Sequence, residues 1–129
     1  MIIPLTAVYA SITGFLMLFL AYRVSTFRLK YKKGMGFTED RDFESAVRSH
    51  GNLTEYAPIT LILLGVGELN GVDTQWVYLT GLAFIAGRLL HAWGMHKGRG
   101  GPHPTRLVGI LLNWLAILVM AVLVLVNAL

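Results

Sequence analysis

Two groups of polar side chains in otherwise apolar stretches are placed to do chemistry. Arg48, Asn52 and Glu55 are spaced i, i+4 and i+7, which on a helix puts them on a single stripe. Arg88 and His91, at i and i+3, share one face of a later helix. Forked guanidinium donors bind carboxylates in pairs of hydrogen bonds. The spacing therefore predicts a polar site between two helices.

Buried charges need a partner or water, and this requirement leaves two interpretations open. In the first, Glu55 forms an ion pair with Arg88 or Arg48 that only fixes the second helix against the third. In the second, the bases outnumber the acids because they bind an anion that enters from the cytoplasm. The second interpretation rests on a predicted convergence of five arginines, namely Arg23, Arg28, Arg48, Arg88 and Arg106.

The elements that must position these residues are membrane helices. The chain has 129 residues, of which 55% are hydrophobic and 14% charged; soluble domains are about one-quarter charged. Residues 1–22 and 107–129 carry no charge, and each run is long enough to span a bilayer. We predict an all-α integral membrane four-helix bundle, one domain over residues 1–129, with helices near 3–30, 42–68, 74–96 and 105–128. Thr105 is the expected cap of the fourth helix, and Asn113 is expected to hydrogen-bond to another helix.

The basic residues predict the orientation of this bundle. All 11 Lys and Arg residues lie in the first and third connections, between 23 and 48 and between 88 and 106, whereas the second connection holds Glu68 and Asp73. Short basic loops remain cytoplasmic, so both termini are expected on the non-cytoplasmic side. The basic surface is also expected to attract anionic membrane lipids.

Other chemistries fit this sequence poorly. The bases lie against the bilayer without an aromatic stacking pattern, so we expect no nucleic-acid partner. The chain has no cysteine, which excludes a protein thiol as nucleophile. His91, His96 and His103 match no common spacing of metal ligands, so no metal site is predicted.

The motifs resemble those of the MAPEG superfamily, the membrane-associated proteins of eicosanoid and glutathione metabolism. Residues 48–55, RSHGNLTE, are similar to its R-x-x-x-N-x-x-E signature, and residues 27–30 (FRLK), 87–91 (GRLLH) and 104–106 (PTR) support the likeness. The resemblance implies a homotrimer that binds glutathione between subunits near the cytoplasmic face. Carried over by position, Arg106 would approach the glutathione thiol, and the residues contacting the rest of glutathione would be Arg28, Arg48, Asn52, Glu55, Arg88 and His91.

The implied function is that of a glutathione transferase in a bacterial inner membrane. The resemblance also leaves open a second activity, that of a peroxidase. Glutathione would be the co-substrate, and an apolar electrophile would arrive from the lipid. Four positions depart from catalytic relatives that the chain resembles: Gly51, Met95, Leu107 and Ile110 replace an arginine or hydroxyl-bearing residues. These departures keep open a non-catalytic lipid- or partner-binding protein of the same fold.

Overall fold

The computed structural model describes residues 1–36 and 38–129, and within them it is all-helical, as predicted. The four helices are α1 (Pro4–Tyr31), α2 (Arg41–Leu69), α3 (Thr74–Lys97) and α4 (Pro104–Ala128). α2 contacts all three other helices, and α3 packs most extensively against α4. The core between them is apolar and includes Leu53, Leu64, Val77, Phe84 and Met120.

Polar side chains define where the helices begin. The Asp40 carboxylate accepts a hydrogen bond from the Asp42 amide (2.9 Å) at the start of α2. Asp73 does the same for α3. The prediction that Thr105 caps α4 was wrong. The N-cap is His103, whose ring Nδ1 accepts a hydrogen bond from the Thr105 amide (3.3 Å). A ring nitrogen can replace a hydroxyl oxygen here because the first helical amides need only an acceptor.

Contacts at both ends fix α1 antiparallel to α2. At one end, the Glu68 carboxylate accepts from the amides of Leu5 (2.9 Å) and Thr6 (2.8 Å), which begin α1. At the other end, the Phe43 ring stacks on the Tyr31 ring at 5.8 Å. A carboxylate at a helix N-terminus is stabilising because it satisfies free amides and complements the helix dipole.

The Tyr31 end of this pair also carries a hydrogen-bonded carboxylate outside the apolar segments. The Tyr31 hydroxyl donates to Asp40 Oδ2. This hydrogen bond, together with the backbone amides at the start of α2, holds the pKa of Asp40 below its usual value. The carboxylate form of Asp40 is therefore the form that the fold stabilises.

Close backbone contact sets the position of α3 against α4. A Cβ at Gly87 would lie 2.8 Å from the Gly109 carbonyl oxygen, and one at Gly109 would lie 2.5 Å from the His91 amide nitrogen. Asn113 on α4 donates to the Phe84 carbonyl on α3 (3.4 Å), which confirms the predicted interhelical bond. Only glycine permits helices to approach this closely.

Two helices have the length and composition of membrane spans. α1 and α4 reach mean hydropathies of 1.8 and 2.7 over an 18-residue window. Both expose large apolar side chains, such as Phe15 and Leu118, that suit contact with lipid. α2 and α3 are also long, but neither contains an 18-residue stretch of comparable hydropathy. That they cross the membrane as well, and that the termini lie outside the cytoplasm, stay predictions.

Candidate functional site

The contact between α2 and α3 is built on a buried arginine. Arg88 is only 2% exposed. Its Nη1 donates to the Asn52 side-chain oxygen at 2.8 Å and to the Asn52 carbonyl at 3.4 Å. The guanidinium carbon lies 5.5 Å from the centre of the Tyr56 ring. Nε and Nη2 of Arg88 are buried and have no hydrogen-bond partner among the described residues.

Glu55 does not neutralise this arginine. Its carboxylate pairs with Arg48 at 3.6 Å, and both side chains are more than half exposed. Because Glu55 and Arg48 both belong to α2, this pair cannot fix α2 against α3, which was one of the two sequence interpretations. An exposed pair of this kind contributes roughly 0–1 kcal/mol.

A large cavity lies between α2, α3 and the start of α4. It has a volume of about 750 Å³, and we call it the main cavity. Its lining residues are Asn52, Tyr56, His91, Pro102, His103, Pro104, Arg106, Leu107 and Ile110. His91 is 5% exposed, and its ring has no hydrogen bond to the described residues. The main cavity therefore combines mostly apolar walls with a few polar groups, as small-molecule sites usually do.

Arg106 belongs to this cavity and also to a second one. The second cavity, the arginine pocket, has a volume of about 320 Å³ and is lined by Arg41, Glu44, Ser45, Arg48, Met95, Arg99, Gly100 and Arg106. Four arginines and one glutamate give it a positive charge. Nη1 of Arg106 donates to the carbonyls of Gly100 (2.8 Å) and Gly101 (3.3 Å). These bonds hold the guanidinium where the two cavities adjoin.

The position of Arg106 depends on the close approach of α3. A Cβ at Gly94 would lie 2.4 Å from the Arg106 amide nitrogen and 2.8 Å from its Cα. Both atoms belong to the backbone, so they cannot rotate away from an added methyl group. Gly94 thus allows the first turn of α4 to sit directly against α3.

The five predicted arginines do not all converge on one site of this chain. Arg28 lines neither the main cavity nor the arginine pocket: its Nη1 donates to the Gly36 carbonyl (3.2 Å), and its guanidinium carbon lies 5.6 Å from the Phe43 ring centre. Arg23 lies between α1 and α3 and donates to His96 Nδ1 at 3.1 Å. Both belong to α1, whereas α2, α3 and α4 enclose the two cavities.

Comparison with known proteins identifies the family to which this chain belongs. The model of the MAPEG family matches residues 6–126. The inner membrane protein YecN of Escherichia coli strain K12 is 33% identical over 115 residues, which cover 89% of this chain and 86% of that protein. YecN of Escherichia coli O6:H1 strain CFT073 matches to the same extent. The chain belongs to the MAPEG family. The predicted membership is confirmed, and a relative named as an inner membrane protein supports a membrane location.

Three further residues of this MAPEG chain line the two cavities, and the sequence analysis did not identify them. Tyr56 lines the main cavity, and its hydroxyl accepts from Trp114 Nε1 at 3.3 Å. Arg41 and Arg99 line the arginine pocket, where Arg99 pairs with Asp42 at 2.9 Å. A signal for two of the three was present, because Tyr56 follows Asn52 at i+4 and Arg41 precedes Arg48 by seven residues, which continues the same stripe.

The three histidines that were considered as metal ligands do not all lie together in this MAPEG chain. His91 and His103 line the main cavity, whereas His96 contacts Arg23 between α1 and α3. Within residues 1–36 and 38–129, no three His, Asp or Glu side chains are grouped so that they could hold a metal ion. The polar groups that line the main cavity are the Asn52 amide, the His91 and His103 imidazoles, the Tyr56 phenol and the Arg106 guanidinium.

Proposed function

We propose that this chain is a membrane-bound glutathione transferase that joins the glutathione thiolate to apolar electrophiles at the cytoplasmic side of the bilayer. The observation that carries the proposal is the junction at Arg106, where a mostly apolar cavity adjoins a pocket rich in arginine. A molecule with two carboxylates and a thiol suits this junction, because the arginines match its charge and the apolar walls match a greasy second substrate.

The polar groups suit different parts of glutathione. Arg48 in the arginine pocket would bind a carboxylate, and Glu55 would bind the ammonium group. The side-chain oxygen of Asn52 already accepts from Arg88, so its NH₂ group is the part left to donate. Asn52 would therefore bind a peptide carbonyl. His91, with no hydrogen bond to the described residues, is a further donor or acceptor in the main cavity.

Arg88 would act on glutathione through Asn52. Its guanidinium is buried and faces the amide oxygen of Asn52, and this contact holds the amide in one orientation. Arg88 would therefore be a positioning residue. The family resemblance implies instead that Arg88 contacts glutathione directly.

Arg106 would stabilise the thiolate. A free thiol has a pKa near 8.5, and a nearby cation lowers it so that more thiolate is present at neutral pH. The thiolate sulfur would form a bond to an electrophilic carbon, and the displaced group would leave with its electron pair. Leu107 and Ile110, on the same wall as Arg106, suit contact with the apolar electrophile.

A homotrimer completes the proposal. Arg28 is outside both cavities of its own subunit, but it lies on α1, a helix that does not enclose them. Glutathione bound between subunits would allow Arg28 of one subunit to contact the ligand held by the next. The mass of the detergent-solubilised protein, corrected for detergent, tests the trimer directly.

The first experiment is ultraviolet difference absorbance of the thiolate on mixing the purified protein with glutathione. We expect a thiolate signal in the wild type and its loss in Arg106→Ala. Arg99→Ala is the matched control, because Arg99 lies in the arginine pocket but does not line the main cavity. A signal of equal size in Arg106→Ala would contradict the role assigned to Arg106.

A second measurement separates binding from chemistry. Glutathione at 100 times its dissociation constant stabilises a folded protein by about 2.7 kcal/mol. We expect this protection in the wild type and its loss in Arg48→Ala. Protection of Arg48→Ala equal to that of the wild type would place the glutathione site elsewhere.

One observation favours the alternative, a non-catalytic lipid- or partner-binding protein of the same fold. Leu107 and Ile110 line the main cavity next to Arg106 and offer no hydroxyl to a thiol. Under this alternative, glutathione or a lipid protects the protein thermally but no thiolate absorbance develops. Absence of both signals would leave a bundle whose polar groups serve only packing.

A further inference from the structure

A third cavity lies between α1 and α3, apart from the main cavity and the arginine pocket. It has a volume of about 280 Å³, and we call it the α1/α3 groove. Six of its lining side chains are apolar or aromatic: Leu16, Phe19, Leu20, Leu89, Ala92 and Trp93. Arg23 and His96 complete the lining. From Leu16 to Arg23 the groove follows α1 for roughly 10 Å, at 1.5 Å per residue.

The polar end of the groove is positively charged. Arg23 Nη2 donates to His96 Nδ1 at 3.1 Å, and since arginine only donates, this ring nitrogen is the unprotonated one. Lys97 adds a second cation, with its Nζ 4.9 Å from the centre of the Trp93 ring. Neither cation forms an ion pair with a described carboxylate.

The distribution of acids explains why this end stays unneutralised. All seven Asp and Glu residues lie between positions 39 and 73, so α1, α3 and α4 contain none. The two ion pairs among the described residues both use acids of α2. The α1/α3 groove therefore presents cations that no acid on its own helices can balance.

We propose that the α1/α3 groove binds an anionic phospholipid. Arg23 and Lys97 bind the phosphate, and one acyl chain lies along Leu16, Leu20 and Ala92. Charge complementarity identifies the headgroup, because basic side chains at the cytoplasmic surface attract anionic lipids. Trp93 stands where aromatic residues usually mark the boundary between headgroups and hydrocarbon.

The shape of the groove favours a lipid over a soluble anion. Phe19 is 58% exposed and Leu89 51% exposed, so the apolar part of the groove opens sideways, where the surrounding hydrocarbon would lie. A free phosphate ion would contact only the charged end and would leave these apolar walls uncovered. A lipid satisfies the charge and the apolar walls together.

The test is native mass spectrometry of the full-length protein after exchange into micelles with equal amounts of phosphatidylglycerol and phosphatidylcholine. We expect the wild type to retain phosphatidylglycerol preferentially. Each basic side chain near an anionic lipid surface contributes about 1 kcal/mol, so Arg23→Gln should weaken phosphatidylglycerol retention about fivefold. Lys30→Gln is the matched control, because the Lys30 Nζ lies 4.9 Å from the centre of the Tyr31 ring, which does not line the groove, whereas the Lys97 Nζ lies against Trp93, which does.

Two further variants keep the test decisive if Arg23→Gln does not fold. Arg23→Lys keeps the charge and should retain the lipid, whereas the exposed Lys97→Gln should weaken retention without unfolding the protein. Equal losses in Lys30→Gln and Lys97→Gln would overturn the proposal, since they would indicate a diffuse surface charge. It would also be overturned if inorganic phosphate alone displaced the lipid, or if Arg23→Gln altered subunit number but not lipid retention.

Discussion

The hydrogen bond between Arg88 and Asn52 makes a sharp prediction about the stability of the bundle. We consider Asn52→Leu and Arg88→Met, separately and together. Each single change leaves one polar partner without the other, whereas the double change replaces the pair with two apolar side chains. Because buried polar groups are costly mainly when unpaired, the three variants should differ in a characteristic way.

The magnitudes follow from the contacts of each group. Hydrogen bonds to charged groups contribute about 1.5–3 kcal/mol, and Nε and Nη2 of Arg88 already lack partners. Asn52→Leu should therefore lower the free energy of unfolding by about 2–3 kcal/mol. Arg88→Met should cost only about 1 kcal/mol, because the Asn52 amide is partly exposed and regains water. The double variant should lie close to the wild type.

Thermal unfolding in detergent without glutathione measures these differences. For a chain of this length, 1 kcal/mol corresponds to roughly 4 °C in Tm, so Asn52→Leu should lower Tm by about 10 °C. Thr54→Val is the matched control on α2, because the Thr54 hydroxyl bonds only to the Gly51 carbonyl of its own helix. It should shift Tm by less than about 4 °C.

The double-mutant cycle decides whether the reasoning is right. Because the double variant should lie close to the wild type, we expect a coupling energy of about 3–4 kcal/mol between Asn52 and Arg88, which is the sum of the two single losses. Additive effects would show that the two side chains do not depend on each other. A double variant less stable than either single variant would refute the argument that the cost lies in the unpaired charge.

Three other perturbations test the remaining parts of the fold and site. Gly94→Ala should destabilise the protein by about 2–3 kcal/mol and reduce the glutathione thiolate absorbance, because the added methyl group displaces the backbone of Arg106. Glu68→Gln should cost about 1 kcal/mol, since the first amides of α1 lose a charged acceptor; the drop in Tm measures it. Tyr31→Phe should raise the pKa of Asp40 towards its usual value, so the variant is less stable than the wild type at neutral pH. That difference should shrink as the pH falls through the lowered pKa of Asp40, and Tm measured between pH 7 and pH 3 checks this.

Each of these variants has a matched control elsewhere in the chain. Gly14→Ala should be tolerated, because a Cβ there has no atom within 4 Å among the described residues. Glu39→Gln and Tyr22→Phe change exposed side chains of the same types and should leave Tm nearly unchanged. If Gly14→Ala and Gly94→Ala were equally stable, close contact at Gly94 would not position α4. A pH-independent difference for Tyr31→Phe would contradict the stabilised carboxylate.

The helices were predictable because their signals are local. Uncharged runs mark α1 and α4, and aspartates at positions 40 and 73 stand where α2 and α3 begin. The cap of α4 was missed because Thr105 and His103 both carry acceptors, and only backbone geometry decides which reaches a free amide. Threonine is preferred over histidine as a helix N-cap, but the loop that leads into Pro104 places the His103 ring against the free Thr105 amide.

The polar partners were less predictable because they depend on how the helices rotate against each other. The spacing placed Arg48, Asn52 and Glu55 on one stripe but left Glu55 with two candidate partners. The structure pairs Glu55 with Arg48 of its own helix and leaves Arg88 of α3 to meet Asn52. No sequence period encodes that rotation. It is set by which small residues allow two backbones to touch.

The bond between Glu68 and the first turn of α1 also constrains the order in which contacts can form as the chain is made. The amides of Leu5 and Thr6 are made before α2, and their acceptor lies more than sixty residues later in the chain. Until α2 is complete, the start of α1 has no protein group to satisfy these amides. The contact that fixes this end of α1 against α2 can therefore form only after Glu68 has been made. In this chain, the register of the first helix is decided by the end of the second.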